Sequence, residues 1–124
     1  MTYALGKRSL ERLVGVHPDL VRVVKRAIEL TERDFSVIEG LRTIETQRAY
    51  VAKGASKTMN SRHITGHAVD LYPVGRPTPW DKCPVVAKAM QAAADELGVA
   101  IVWGGSWKTF VDQPHFELDR RVYP

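Results

Sequence analysis

Apolar residues recur at helical spacing in two parts of the chain and alternate with polar ones in others, and this pattern predicts most of the elements. From Pro18 to Leu30 the positions Leu20, Val23, Val24, Ala27 and Ile28 share one helical face, and proline suits a first helical turn, so an amphipathic helix on a core is expected. Pro84 opens the clearest repeat, Val86, Ala89, Met90, Ala93 and Leu97, which Gly98 closes. Phe35 to Glu39, bounded by Asp34 and Gly40, reads as a short strand, and a weaker helix follows Thr43 as its cap and runs to about Lys53, where Gly54 ends it. In Ala68 to Tyr72 strict alternation puts Ala68, Asp70 and Tyr72 on one strand face and turns Val69 and Leu71 into the core. Val99 to Trp103 and Phe116 to Leu118 are the remaining expected strands, with His115 at the start of the last. Residues 55–62, 74–80 and 104–114 lack a period and read as loops or turns. Helices and strands mix without regular alternation, so the expected class is α+β, a small antiparallel sheet with flanking helices.

The 124 residues fit one domain, 1–124, with no repeat or linker to divide it and enough chain to bury a core without staples. Hydrophobic residues at 44% and charged residues at 26% are ordinary for a globular protein, and no apolar run approaches bilayer length. Met1 to Arg8 carries neither an apolar core segment nor a small-residue cleavage site, so no signal peptide is expected and synthesis should end in the cytoplasm. Cys83 has no companion for a disulfide or a thiolate metal site and reads as a packed or helix-start residue. The formal net charge of +4 favours polyanionic partners in general, including a bacterial wall. Its basic residues, among them Arg22, Lys25, Arg26, Arg33, Lys53 and Lys57, are scattered rather than gathered into a nucleic-acid-reading face.

Candidate chemistry lies in two short runs, Ser61-Arg62-His63-Ile64-Thr65-Gly66-His67-Ala68-Val69-Asp70 and Asp112-Gln113-Pro114-His115-Phe116-Glu117-Leu118. His63 and His67 stand four apart as on a zincin helix, but Ile64 occupies the place of the motif's glutamate and Gly66 opposes a helix. A set made of His63, Asp70 and His115 is preferable. Two imidazoles and one carboxylate give a zinc ion three protein ligands and leave a fourth tetrahedral position for water, the arrangement of a catalytic rather than a structural site. Asp112 lies three residues before His115, a span of at most roughly 10 Å, so its carboxylate is within reach of a metal-bound water. Trp103, Trp107 and Phe110 either wall a substrate groove or pack the core, and Gly104-Gly105 marks a tight turn or a close backbone approach.

The spacing Ser61-x-His63-x-x-Gly66-x-Ala68-x-Asp70 followed by Asp112-x-x-His115 resembles the metal-site signature of the LAS metallopeptidases. That group includes D-Ala-D-Ala peptidases of the VanY type, the amino-terminal domain of sonic hedgehog and phage endolysins. With the opening Leu5-Gly6-Lys7-Arg8-Ser9, the segment Gly40-Leu41-Arg42-Thr43 and the missing export signal, the chain most resembles the phage L-alanyl-D-glutamate peptidase endolysins. The resemblance implies a hedgehog-like and D-Ala-D-Ala-peptidase-like fold, His63, Asp70 and His115 as ligands of one catalytic Zn2+, and Asp112 as general base and acid. It implies that Arg42 holds the substrate carbonyl or carboxylate and that Ser61 lines the same site. His67 receives no role.

The expected function is zinc-dependent hydrolysis of the L-Ala-D-Glu bond in bacterial peptidoglycan, which lyses the host. A monomer is expected, with peptidoglycan as partner and neither nucleic acid nor stable membrane association. The protein would wait in the host cytoplasm and reach the wall after the membrane is breached. A D,D- or L,D-carboxypeptidase on the same metal site, and a non-catalytic zinc-containing wall-binding module, are the open alternatives.

Overall fold

A computed structural model describes residues 2–56 and 58–124; Met1, and Lys57 within the expected loop 55–62, lie outside the described residues. The order is α1 (Lys7–Arg12), α2 (Pro18–Leu30), β1 (Phe35–Glu39), α3 (Ile44–Ala52), β2 (Ala68–Pro73), α4 (Cys83–Leu97), β3 (Ile101–Trp103) and β4 (His115–Leu118), with single 3-10 turns at Trp80–Lys82 and Gly104–Ser106. The strands form one antiparallel sheet in the order β1-β2-β4-β3, as the α+β expectation required.

Helices α2 and α4 pack against each other and cover the inner face of the sheet. Their stripes, Leu20, Val23, Val24, Ala27 and Ile28 on one and Val86, Ala89, Met90 and Ala93 on the other, are buried against Phe35, Val37, Val69, Leu71, Phe116 and Leu118. Burying a side chain of this size contributes roughly 1.5–3 kcal/mol, so these two stripes supply the main driving force of the fold. The His17 imidazole caps α2 by accepting from the Asp19 N–H at 3.1 Å, and Gly98 takes the left-handed conformation (φ 69°) that ends α4. Cys83 is buried at the first turn of α4, as expected. Thr43 caps α3 through the Thr46 N–H. Val99 does not enter β3: its N–H is taken by the Ala94 carbonyl of the helix end (2.9 Å), so the strand begins only at Ile101.

One helix escaped the sequence pattern. In α1 the residue that is buried is Ser9, Leu10 is exposed and no side chain caps Gly6, so there is no apolar stripe to detect. Its tie to the sheet is polar: Ser9 Oγ accepts from the Val37 N–H (3.0 Å) and Arg12 donates to the Val37 carbonyl (3.0 Å), on the outer side of β1.

Register on the other face of the sheet positions the site. Asp70 of β2 pairs with His115 of β4, and a bulge between Val37 and Glu39 brings Glu39 of β1 abreast of Asp70. A bulge adds one residue to one strand and re-aims the side chains beyond it. Glu39, Asp70 and His115 therefore stand in a row across three strands, opposite the face that Val69, Leu71 and Phe116 give to the core.

Candidate metal centre and active-site cleft

Gly66 takes φ +76°, and a Cβ there would run into the Gly15 carbonyl, so the turn between His63 and β2 requires glycine. That turn is locked by Gly66 and Arg42 N–H groups on the His63 carbonyl (3.3 and 2.9 Å) and by Ser61 Oγ accepting from the His63 N–H (3.2 Å). The His63 ring is 2% exposed. Its Nδ1 lies 2.8 Å from the Gly40 carbonyl, which makes Nδ1 the protonated nitrogen and leaves Nε2 with its lone pair. That buried Nε2 has no hydrogen-bond partner among the described residues and stands 3.3 Å from Asp70 Oδ1.

His115 is oriented in the complementary way. Its Nε2 lies 2.8 Å from Glu117 Oε1 and its Nδ1 3.3 Å from the same Asp70 oxygen. Glu117 follows two residues later on β4, so both side chains share one face. One ligand atom from each of His63, Asp70 and His115 lies within 4.8 Å of the others, a group that can hold a metal ion. Three observations fit such an ion: a buried imidazole nitrogen lacking a partner, an N/N/O donor set, and an outer acceptor on the far nitrogen of each histidine, as ligating histidines require.

The group lies on the wall of a cleft of about 470 Å³ that also exposes Asp112, Tyr72, Trp107 and Phe110. Gly104 closes the loop carrying Asp112: the Asp112 N–H donates to the Gly104 carbonyl (3.0 Å), and a Cβ on Gly104 would strike the Asp112 carbonyl. Burial, reinforced by the Asp70 charge, pushes the Asp112 carboxyl up from its ordinary value. Of the three aromatic candidates, Trp107 and Phe110 line the cleft, whereas Trp103 stacks on Phe116 and donates to the Gln113 carbonyl (2.6 Å).

Arg42 is 8% exposed and spans the cleft floor. It donates to Glu39, to Gln47 Oε1 (2.6 Å) and to Ser61 Oγ (3.4 Å), reaches within 3.8 Å of Asp70 Oδ2, and lies over the Tyr50 ring at 4.5 Å. Ser61 thus touches both Arg42 and the backbone of His63. His67 lies apart, its ring 5.5 Å from that of His17 and its Nδ1 2.7 Å from Thr65 Oγ1. Glu39, Gln47, Tyr50 and Glu117 were not singled out in the sequence. Only Glu117 carried a signal, its two-residue offset from His115 on a strand; the others meet Arg42 through tertiary structure alone.

A family model of the phage L-alanyl-D-glutamate peptidases matches residues 1–123. The chain belongs to that family. The L-alanyl-D-glutamate peptidase of Escherichia phage T5 is 34% identical over 99% of this chain and 94% of its own length. That of Listeria phage A118 is 39% identical over 99% of this chain but only 45% of its own. Among solved structures, the Serratia marcescens L-Ala D-Glu endopeptidase ChiX superposes with a TM-score of 0.89 at 48% identity, covering 95% of this chain and 91% of that one.

The charge arrangement of this peptidase sets a pH dependence. Burial alone would lower His115, but its bonds to Asp70 and Glu117 prevail and raise it to about 9 when no metal competes. Burial alone would raise Asp70, but the neighbouring His115 and His63 imidazoles outweigh it and hold its carboxyl well below the usual range. Because the folded value of His115 exceeds the unfolded one of about 6.5, its stabilising contribution is complete below that pH and is lost as pH rises towards 9. Chelator-treated protein should therefore lose on the order of 1–3 kcal/mol between these limits, seen as a falling Tm in calorimetry. Protein refolded with zinc should not follow that curve, because metal takes the proton's place; parallel curves would refute the assignment.

Proposed function

We propose that this chain is a zinc endopeptidase that hydrolyses the L-Ala-D-Glu bond of bacterial peptidoglycan stem peptides and so lyses the host of a phage. The observation that carries the reading is the meeting of His63, Asp70 and His115 with a buried, unpartnered His63 Nε2. The two names shared by its relatives, L-alanyl-D-glutamate peptidase and L-Ala D-Glu endopeptidase, supply the bond.

His63 through Nε2, His115 through Nδ1 and Asp70 through its carboxylate would hold the ion. Zinc so bound supplies Lewis acidity and a water whose pKa falls to near 7. Asp112, with its carboxyl pushed up towards the working pH, takes the proton from the attacking water and returns it to the departing amine of D-Glu. Arg42, held rigid by Glu39, Gln47 and Tyr50, places a fixed positive charge beside the carbonyl oxygen as it becomes negative, and Ser61 keeps Arg42 and His63 in register. Trp107 and Phe110 give the cleft an apolar flank for the stem peptide.

Action as a monomer on peptidoglycan, with no nucleic-acid or stable membrane partner, is part of the same proposal. No helix among the described residues is long and apolar enough to cross a membrane. Arrival at the wall from the host cytoplasm, once the membrane has been breached, belongs to the same proposal.

A digest of purified peptidoglycan, with and without chelator and read by mass spectrometry, tests it. The expected products are stem peptides bearing a new amino-terminal D-Glu, present with zinc and absent with chelator. Loss of only terminal D-Ala would establish a carboxypeptidase, and binding to the wall without any cleavage a non-catalytic module.

A further inference from the structure

Beyond the metal group, the cleft wall carries a second charged cluster that the chemistry above leaves unused. Arg62 and Arg120 both approach Glu117, with Arg62 Nε 4.0 Å and Arg120 Nε 3.6 Å from Oε2. The Arg62 side chain is only 10% exposed and is anchored by its Nη2 on the carbonyls of Leu118 (3.2 Å) and Tyr123 (2.6 Å). Its buried Nε has no hydrogen-bond partner among the described residues. Arg120, by contrast, is 61% exposed, so its side chain meets solvent at the cleft lining while it pairs with Glu117. Glu117 cannot neutralise both, because its Oε1 is already held by His115 at 2.8 Å. Arg42 belongs to the other group, close to Asp70 (3.8 Å), paired with Glu39 and donating to Gln47.

The charges of the whole cleft point the same way. Its described lining sets Arg42, Arg62 and Arg120 against Glu39, Asp70, Asp112 and Glu117. A divalent cation at the metal group turns that small negative excess into a net positive charge, with the local surplus on the Glu117 side. Such a surplus attracts an anionic part of the substrate. A D-glutamyl residue has two carboxyl groups, and at most one can carry the chain onward. Where the chain continues through the side-chain carboxyl, the other is an α-carboxylate only two bonds from the scissile nitrogen.

Resting on the endopeptidase function proposed above, we infer that Arg62 and Arg120 form a subsite for the free carboxylate of the D-glutamyl residue. Arg62 gives the subsite a fixed wall and Arg120 an arm that folds over the bound group. Cleavage then depends on whether this carboxyl is ionised or capped as an amide, and the enzyme distinguishes D-glutamate from D-isoglutamine stems.

Two synthetic stem peptides, identical except for a carboxylate or a carboxamide at that position, test the subsite with the zinc-loaded enzyme. The carboxylate peptide should be cleaved with roughly tenfold higher kcat/KM, the yield of one charge-assisted hydrogen bond, and the difference should lie mainly in KM. Arg120→Gln should compress the ratio to about twofold, and Arg120→Lys should restore most of it. Equal cleavage of both peptides by the wild type, or an unchanged ratio in Arg120→Gln, overturns the subsite while leaving the endopeptidase standing. Cleavage of neither peptide overturns both.

Discussion

Asp112→Asn is expected to lower kcat by roughly 10²–10⁴-fold, the usual contribution of a positioned general acid–base, while leaving zinc content and Tm near those of the wild type. Asparagine matches aspartate in shape, and the contacts that hold this residue in place are made by its main chain. Its N–H donates to Gly104 and its carbonyl accepts from the His115 N–H at 3.1 Å, and neither bond depends on the side chain. What the amide loses is the capacity to take up a proton. Burial and Asp70 favour that uptake by pushing the Asp112 carboxyl upward. Single-turnover kinetics on a stem peptide, with metal analysis of the same sample, measures the effect. Turnover close to the wild-type rate in a fully loaded variant would remove Asp112 from proton transfer.

His63→Ala should abolish activity by a different route, through loss of the ion. Zinc sites in small proteins are worth about 10–16 kcal/mol in total, so one ligand of three or four contributes roughly 3 kcal/mol or more, over a hundredfold in affinity. His63 has no substitute: it is buried, its Nδ1 is committed to Gly40, and neighbouring His67 turns instead towards His17. Zinc affinity by competition with a chromogenic chelator is the readout, with far-ultraviolet circular dichroism to show that the variant folds. Wild-type affinity in a folded variant would contradict a role for His63 in holding the metal. Excess zinc should restore part of the binding but little turnover, because the remaining donors no longer fix the ion against Asp112.

These two outcomes depend on parts of the molecule that were unequally legible in the amino-acid order. Helices α2 and α4 were plain because their apolar stripes do the packing, and β2 because alternation separates Val69 and Leu71 from Asp70. The three metal-group residues could be named from chemistry and spacing, yet their convergence rests on the pairing of Asp70 with His115 across 45 residues. No local pattern encodes that pairing. The polar framework behind Arg42 was invisible for the same reason: Gln47 looks like any helix residue until α3 is folded onto the cleft. Helix α1 was missed because its tie to the fold runs through Ser9 and Arg12 rather than through hydrophobic residues.

That tie has a consequence for how copies of the protein coexist. A border strand with a vacant N–H and carbonyl invites another polypeptide to add itself to the sheet. Here Ser9 and Arg12 occupy those groups at Val37, in the middle of β1. This border is capped at its middle from within the same molecule, so along β1 crowded copies find a poorer template for zipping together into fibrous aggregates.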